Sequence, residues 1–270
     1  MATDYLIGAI LLTITNSRAD EVHIKSRRSL VRLSSFASIL ILLTQLAVAE
    51  NSPDSNSLTA TDIIKRMKGA YANSRSYLDT GMVKEVFIDA NGERTVEKPF
   101  TTAFVRPGRF RYEFRETPPY QSERRFVIHQ NGKELRAHWD IEHDLKMTTL
   151  DRAVAAAAGV SSESAITVPG MLLPKEITWR RAIRFRMPRR IDDEILSNID
   201  CYRIVDWVGG GRITLWISKQ DFLLRKTYLE KSFGDFRVQR TTAYKPEMNT
   251  EIDAKLLEFN PPGNKPWWRI

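Results

Sequence analysis

The chain has 270 residues, 42% of them apolar and 27% charged, which suits one globular domain with a substantial core and leaves little room for a second. Twelve Phe, eight Tyr and six Trp, with Val, Ile and Thr in short alternating runs, favour strands over a helical bundle, and the single cysteine, Cys201, excludes an intramolecular disulfide. The net charge is +8, of which +6 falls on residues 50–270 (36 Lys/Arg against 30 Asp/Glu), a mild excess that suits a solvated surface, an anionic membrane or an acidic partner.

In chain order the first feature is an address. Lys25, Arg27, Arg28 and Arg32 precede an apolar run, Phe36 to Ala49, that ends in Ala47-Val48-Ala49. This is the order of a secretory signal peptide, with cleavage expected after Ala49 and a periplasmic destination. The run is shorter than the ~20 residues that span a bilayer, so an uncleaved anchor would have to borrow flanking residues. It has no terminal cysteine, so bacterial lipoprotein-type lipidation is not expected. Residues 1–25 lie upstream of the basic region; Tyr5–Ile14 fits a short apolar helix, and an upstream start codon wrongly assigned explains the stretch equally well. Residues 1–49 are therefore read as an extension plus signal segment and residues 50–57 as a flexible linker.

Thr59 with Asp62 forms a capping-box pattern ahead of Ile63, Ile64, Met67, Ala70 and Tyr71, which predicts an amphipathic helix over Ala60–Asn73. Asn91-Gly92 and Asn131-Gly132 each join two strand-like runs and predict hairpins with type I′ turns. Between them, Phe110, Tyr112 and Phe114 alternate with Arg109, Arg111, Glu113 and Arg115, a strand with one apolar and one wet face. Leu150–Gly159 is an alanine-rich helix with Gly159 placed for its cap. Val168–Pro174, apolar with two prolines, reads as a packed loop or short helix. Strand signals return at Cys201–Val208, turn at Gly209-Gly210-Gly211, and continue through Arg212–Ser218, Leu223–Leu229, Phe236–Tyr244 and Leu256–Phe259. The total is nine to eleven antiparallel strands with one helix before them and a helical insertion.

No HExxH, GxSxG, Cys–His pattern or phosphate-binding loop is present, so no enzyme, cofactor or metal is expected. His129, His138 and His143, near Asp140, Glu142 and Asp144, are the one metal candidate, and they also fit ordinary strand faces. Asp192-Asp193-Glu194 reads as a solvated connection. The basic stretch Arg180-Arg181, Arg184, Arg186 and Arg189-Arg190, with Trp179 and Phe185, fits a solvated surface or anionic lipid headgroups; export argues against nucleic acid.

The run Phe104-Val105-Arg106-Pro107-Gly108-Arg109-Phe110-Arg111-Tyr112 resembles the Arg-Pro-Gly-x-Phe-x-aromatic strand of the periplasmic lipoprotein carriers of the LolA type and of their LolB and LppX-like lipid-binding relatives. Further matches follow in order: Asn131-Gly132 leading to Trp139, Pro169–Leu173, Thr214-Leu215-Trp216-Ile217, Phe222-Leu223-Leu224-Arg225 and Phe259-Asn260-Pro261-Pro262. The resemblance implies an α+β fold over residues 58–262: a curved antiparallel sheet forming an unclosed, half β-barrel covered by an N-terminal helix and a mid-chain helical lid. Residues 263–270, with Trp267-Trp268, are a tail without counterpart. It implies a monomeric carrier of a lipid or acylated protein that meets a membrane surface or membrane-bound donor and acceptor. By the resemblance Arg106 is a latch that hydrogen-bonds lid backbone, and Phe110 and Tyr112 line the cavity. Phe104, Phe114, Trp139, Val154, Met171, Leu172, Leu173 and Trp216 complete the expected lining. A protein-docking module that uses the same concave face is the alternative.

Overall fold

In the computed structural model the described residues are 57–117, 122–142, 145–178 and 184–260. The expected signal segment with its cleavage point, Trp179, Arg180, Arg181, His143, Asp144 and Trp267-Trp268 lie outside them.

Helix α1 (Ala60–Ala72) begins at the capping box: the Thr59 hydroxyl accepts the Asp62 amide at 3.2 Å, and the Asp62 carboxylate accepts the Thr59 amide at 3.3 Å. Its buried stripe is Ile63, Ile64, Met67 and Tyr71. Five strands follow, β1 (Ser76–Asp89), β2 (Gly92–Val105), β3 (Arg109–Glu116), β4 (Arg124–Asn131) and β5 (Glu134–Trp139). Three helices interrupt them, α2 (Leu150–Val160), α3 (Ser164–Thr167) and α4 (Pro169–Leu172). Six strands complete the chain: β6 (Arg189–Leu196), β7 (Ile199–Val208), β8 (Gly211–Ser218), β9 (Leu224–Phe233), β10 (Phe236–Ala243) and the short β11 (Pro246–Met248). The sheet runs β5-β4-β3-β2-β1-β10-β9-β8-β7-β6, with β11 also on β1, and every pairing is antiparallel. Strands β5 and β6 are its two ends, so the curved sheet is an unclosed half-barrel of α+β class.

Several local expectations are corrected. In the first hairpin the loop is Ala90-Asn91, with Asp89 opposite Gly92, and neither loop residue takes a positive φ. The Asp89 carboxylate accepts the Asn91 amide at 2.7 Å and closes the turn instead. In the second, Asn131 is the last strand residue and Gly132, with φ +59°, opens the loop. Gly209 and Gly210 do form a two-residue turn with both φ positive (+57° and +81°), between the partners Val208 and Gly211. Helix α2 runs past Gly159 and is capped at Ser161. Leu256–Phe259 is no strand: Ala254–Leu257 forms a 3₁₀ turn.

Strand β6 is the larger correction. Asp192-Asp193-Glu194 lies within it, beside a register shift between Ile191 and Glu194, and Asp193 pairs with Arg190 and Lys219. An end strand carries polar side chains on both faces, so it lacks the alternation that marks a half-buried strand.

Candidate functional site

Register assigns each strand residue to one of two faces, because successive side chains alternate. The inner face carries Tyr77 and Val83 on β1, Phe100 and Phe104 on β2, Phe110, Tyr112 and Phe114 on β3, and Phe126 and Ile128 on β4, all buried in one core cluster. Phe100 lies across Gly81, its partner on β1, in the space a side chain there would fill. On the other side of the sheet centre, Ile213, Leu215 and Ile217 of β8 and Tyr202 and Ile204 of β7 continue that face.

The helices close over this face. Ala153, Val154 and Ala157 of α2, Ala165 and Ile166 of α3, and Met171 and Leu172 of α4 with Leu173 enter the same cluster. Of the ten expected lining residues, Phe104, Phe110, Tyr112, Phe114, Val154, Met171, Leu172 and Leu173 sit together here. Trp139 is half-buried at its margin, with its ring 5.8 Å from Phe126.

Trp216 does not join them. It lies on the outer face, buried between Arg203 and Lys226, whose cations stand 5.6 and 4.4 Å from its ring. Strand β8 is buried on both faces but alternates, with Ile213, Leu215 and Ile217 on the inner side and Arg212, Thr214 and Ser218 on the side of Trp216, so the pattern itself sets Trp216 opposite the apolar face.

Two sets of contacts fasten the helices to the sheet. The first is Arg106, at the turn after β2. Its guanidinium donates to the carbonyl oxygens of Ala72 (2.6 Å) and Ser74 (2.7 Å) at the end of α1, and of Leu172 (3.0 Å) in α4. The Ala72 and Leu172 carbonyls are among those a helix end leaves without partners, and Ser74 lies just past the end of α1. The second set, absent from the sequence reading, surrounds the elbow between α2 and α3, where Ser162 and Glu163 take φ of 55° and 69°. Lys98 donates to Val160 O at 2.7 Å and to the Ser162 hydroxyl at 3.2 Å. Glu85 accepts from Ser162 and from Arg240 (2.7 Å), and Arg240 also stands 3.3 Å from Glu163. Burial works against the Glu85 charge, yet Arg240, Ser162 and Lys98 outweigh it and hold its carboxyl below the ordinary glutamate range. An open cleft of about 850 Å³ adjoins this elbow, lined by Glu85, Phe87, Arg94, Lys98, Glu116 and Arg124 among others.

Between the two fastenings runs a polar row. Asp79, Thr102 and Tyr112 are register partners across β1, β2 and β3, and the Tyr112 hydroxyl meets Ser164 of α3 at 2.6 Å. Asp79 Oδ1 accepts the Lys245 amide at 2.7 Å. Burial pushes the Asp79 carboxyl up to about 6, against the hydrogen bond from Lys245, the nearby Tyr77 hydroxyl and the Arg225 charge.

The outer face is less wet than its charges imply. The segment after β11 crosses β2–β4: His129 Nε2 lies 3.0 Å from Leu257 O, Arg125 donates to Asn260 O at 2.5 Å, and Leu257 is buried. Beneath it Glu113 pairs with Arg111 and Arg115. His129 and His138 share this face but are not opposite each other; their partners are Arg136 and Val127. Among the described residues no three His, Cys, Asp or Glu gather as a metal site, and no helix is long and apolar enough to cross a membrane.

No protein-family model matches the chain, and no curated protein does. Solved structures similar to it include a chain of the Pseudomonas aeruginosa MucA/MucB complex, with 10% identity and TM-score 0.41, covering 74% of this chain and 61% of that one. The present chain thus spans about three fifths of the MucB-type chains it matches. LprF from Mycobacterium bovis is 11% identical, with TM-score 0.41 and coverage of 72% and 94%. The LolA superfamily protein NE2245 from Nitrosomonas europaea is 9% identical, with TM-score 0.27 and coverage of 75% and 99%. Similarity at this level carries no conclusion about activity, and the function has to be argued from this chain's own geometry.

Proposed function

We propose that the protein is a non-catalytic carrier of the cell envelope that receives a lipid or acyl chain, free or attached to a protein, on the inner sheet face beneath α2–α4. The observation that carries this reading is the way the cover is attached. The α2–α4 segment adds no strand to the sheet; it rests on aromatic side chains and is tied down by a few polar contacts. Its buried side on α2 is Leu150, Ala153, Val154, Ala157 and Ala158, mostly methyl groups that bury little area, so lifting it exposes less than lifting a leucine-rich helix would. An acyl chain gains ~0.8 kcal/mol per buried CH₂, on the order of 10 kcal/mol for a palmitoyl-length chain. That gain offsets the burial lost when α2 lifts and goes toward the larger burial of Ile166, Met171, Leu172 and Leu173 in the rest of the cover. Residues 1–49 would supply export to the periplasm, and the protein would act as a monomer with no cofactor or nucleic acid.

Native mass spectrometry of the full chain purified from a bacterial envelope should show a co-purifying lipid that solvent extraction removes. A chain that carries none and fails to bind a fluorescent fatty acid would refute the reading. The second reading, a docking module for an envelope protein, draws on exposed apolar side chains at one end of the sheet: Met187, Trp207, Phe233 and Phe236. Partner capture that survives delipidation would favour it.

A further inference from the structure

The polar row on the inner face has no use in an apolar core. Asp79 and Thr102 are fully buried, and so is Tyr77, two residues along β1 on the same face. Asp79 Oδ2, Thr102 Oγ1 and the Tyr77 hydroxyl make no well-aligned hydrogen bond among the described residues, although the Tyr77 hydroxyl lies close enough to Asp79 and to Tyr71 to act on both. The Asp79 charge is felt by four tyrosine hydroxyls, those of Tyr71, Tyr77, Tyr112 and Tyr244. Three of these have other contacts: Tyr71 accepts the Leu224 amide, Tyr112 meets Ser164, and Tyr244 neighbours Thr167 and Thr227. The unsatisfied atoms thus form one group on adjacent positions of β1 and β2, below α3.

A buried polar atom left without a hydrogen bond destabilises by about 1–3 kcal/mol. Three in one place, one of them a carboxylate oxygen, stand out against the rule that buried polar groups are paired. A plain hydrocarbon chain laid over them would leave Thr102 Oγ1 without a partner and Asp79 with no donor beyond the Lys245 amide and the nearby Tyr77 hydroxyl. A group that donates a hydrogen bond to Asp79 Oδ2 and exchanges bonds with Thr102 and Tyr77 would satisfy them together.

We propose that Asp79, Thr102 and Tyr77 form a subsite that reads a hydrogen-bond donor on the ligand, so that the cargo is an amphiphile bearing a hydroxyl or ammonium group and not a bare acyl ester. This rests on the carrier reading and names its ligand class. Asp79 supplies the acceptor, and in its charged form a counter-ion for an ammonium. Thr102 and Tyr77 supply hydroxyls that donate or accept as the ligand requires.

The test displaces a neutral fluorescent long-chain alcohol from the full chain with three competitors of equal chain length: methyl palmitate, hexadecanol and hexadecylamine. The alcohol and the amine should compete at roughly tenfold lower concentration than the ester, a difference of about 1.4 kcal/mol. Asp79→Asn should remove most of the amine's advantage while leaving the ester unchanged. Thr102→Val, nearly isosteric and safe for the fold, should weaken the alcohol. Equal potency of the three, or variants that alter nothing, would assign the row to bound water and overturn the subsite while leaving the carrier reading intact. A probe that never binds would overturn both.

Discussion

The helical cover is held at two ends by different chemistry. At the α1–α4 end one guanidinium, Arg106, reaches three main-chain carbonyls, and no carboxylate takes part in those bonds. At the α2–α3 elbow the hold is a network of side chains, Lys98, Glu85, Arg240 and Glu163, gathered around a segment with two positive φ values. The first depends on one residue, and its acceptors are main-chain carbonyls, which carry no proton to lose or gain. The second is distributed, so no single loss empties it, and it depends on a carboxylate. A cover fastened this way should open most readily at the Arg106 end when that residue is lost, and at the elbow when acid neutralises Glu85.

Arg106→Leu is the sharpest way to break this contrast. It leaves the Ala72, Ser74 and Leu172 carbonyls without their charged donor at once, and bonds to charged groups contribute about 1.5–3 kcal/mol each before relaxation. A loss of about 3 kcal/mol is expected in denaturant melts. If α4 is then free, the variant should bind lipid more tightly and release it more slowly. Unchanged stability together with unchanged lipid binding and release would remove Arg106 as a latch.

Glu85→Gln should cost less, about 1–2 kcal/mol, because Arg240 keeps Glu163 and Lys98 keeps Glu116 and Val160 O. Its signature is the pH profile. A carboxyl held below its ordinary value contributes stability that is complete above pH ~4.5 and lost as pH falls through the lower folded value. The groups facing Glu85 are Arg240, Lys98 and Ser162. Wild type and Glu85→Gln should therefore differ at neutral pH and converge in acid, measured by urea unfolding at stepped pH. A constant gap would mean that Glu85 acts through packing alone.

The two ends also differ in how far the sequence announces them. Arg106 stands in a short run, Arg106-Pro107-Gly108-Arg109-Phe110, and its latch role was implied by the resemblance of that run, not by any local pattern that marks its acceptors. Alternation placed Phe110, Tyr112 and Phe114 on one face, and the capping box set the start of α1. The elbow network joins residues far apart: Glu85 and Arg240 are separated by 155 positions and Glu85 and Ser162 by 77. Charged side chains are common on strands, and nothing local marks these as paired. One sign was present in β1, where Asp79 and Glu85 share the parity of Tyr77 and Val83, so that acids fall on a buried face. Where alternation fails, as in β6, the existence of a strand was lost with it; in β8 the alternation of Ile213, Leu215 and Ile217 with Arg212, Thr214 and Ser218 already set Trp216 on the outer face, and its aromatic character alone had suggested a lining role.

Tyr112 lies between the two ends and tests whether the cover moves as one piece. Its ring belongs to the apolar core, while its hydroxyl meets the Ser164 hydroxyl of α3 in a fully buried position. Tyr112→Phe keeps the ring and deletes one bond, which predicts a loss of about 1 kcal/mol. Ser164 retains its bond to Ser161 O, so no second group is stranded. If α2–α4 lifts as a unit, this small loss should appear in lipid affinity as well as in stability, because the bond breaks whenever the cover opens. If only the elbow or only α4 moves, Tyr112→Phe should lower the melting midpoint and leave lipid affinity where it was. Hydrogen exchange of the α3 amides with and without bound fatty acid separates the two cases directly: joint motion exposes α2, α3 and α4 together, whereas local opening protects α3 throughout.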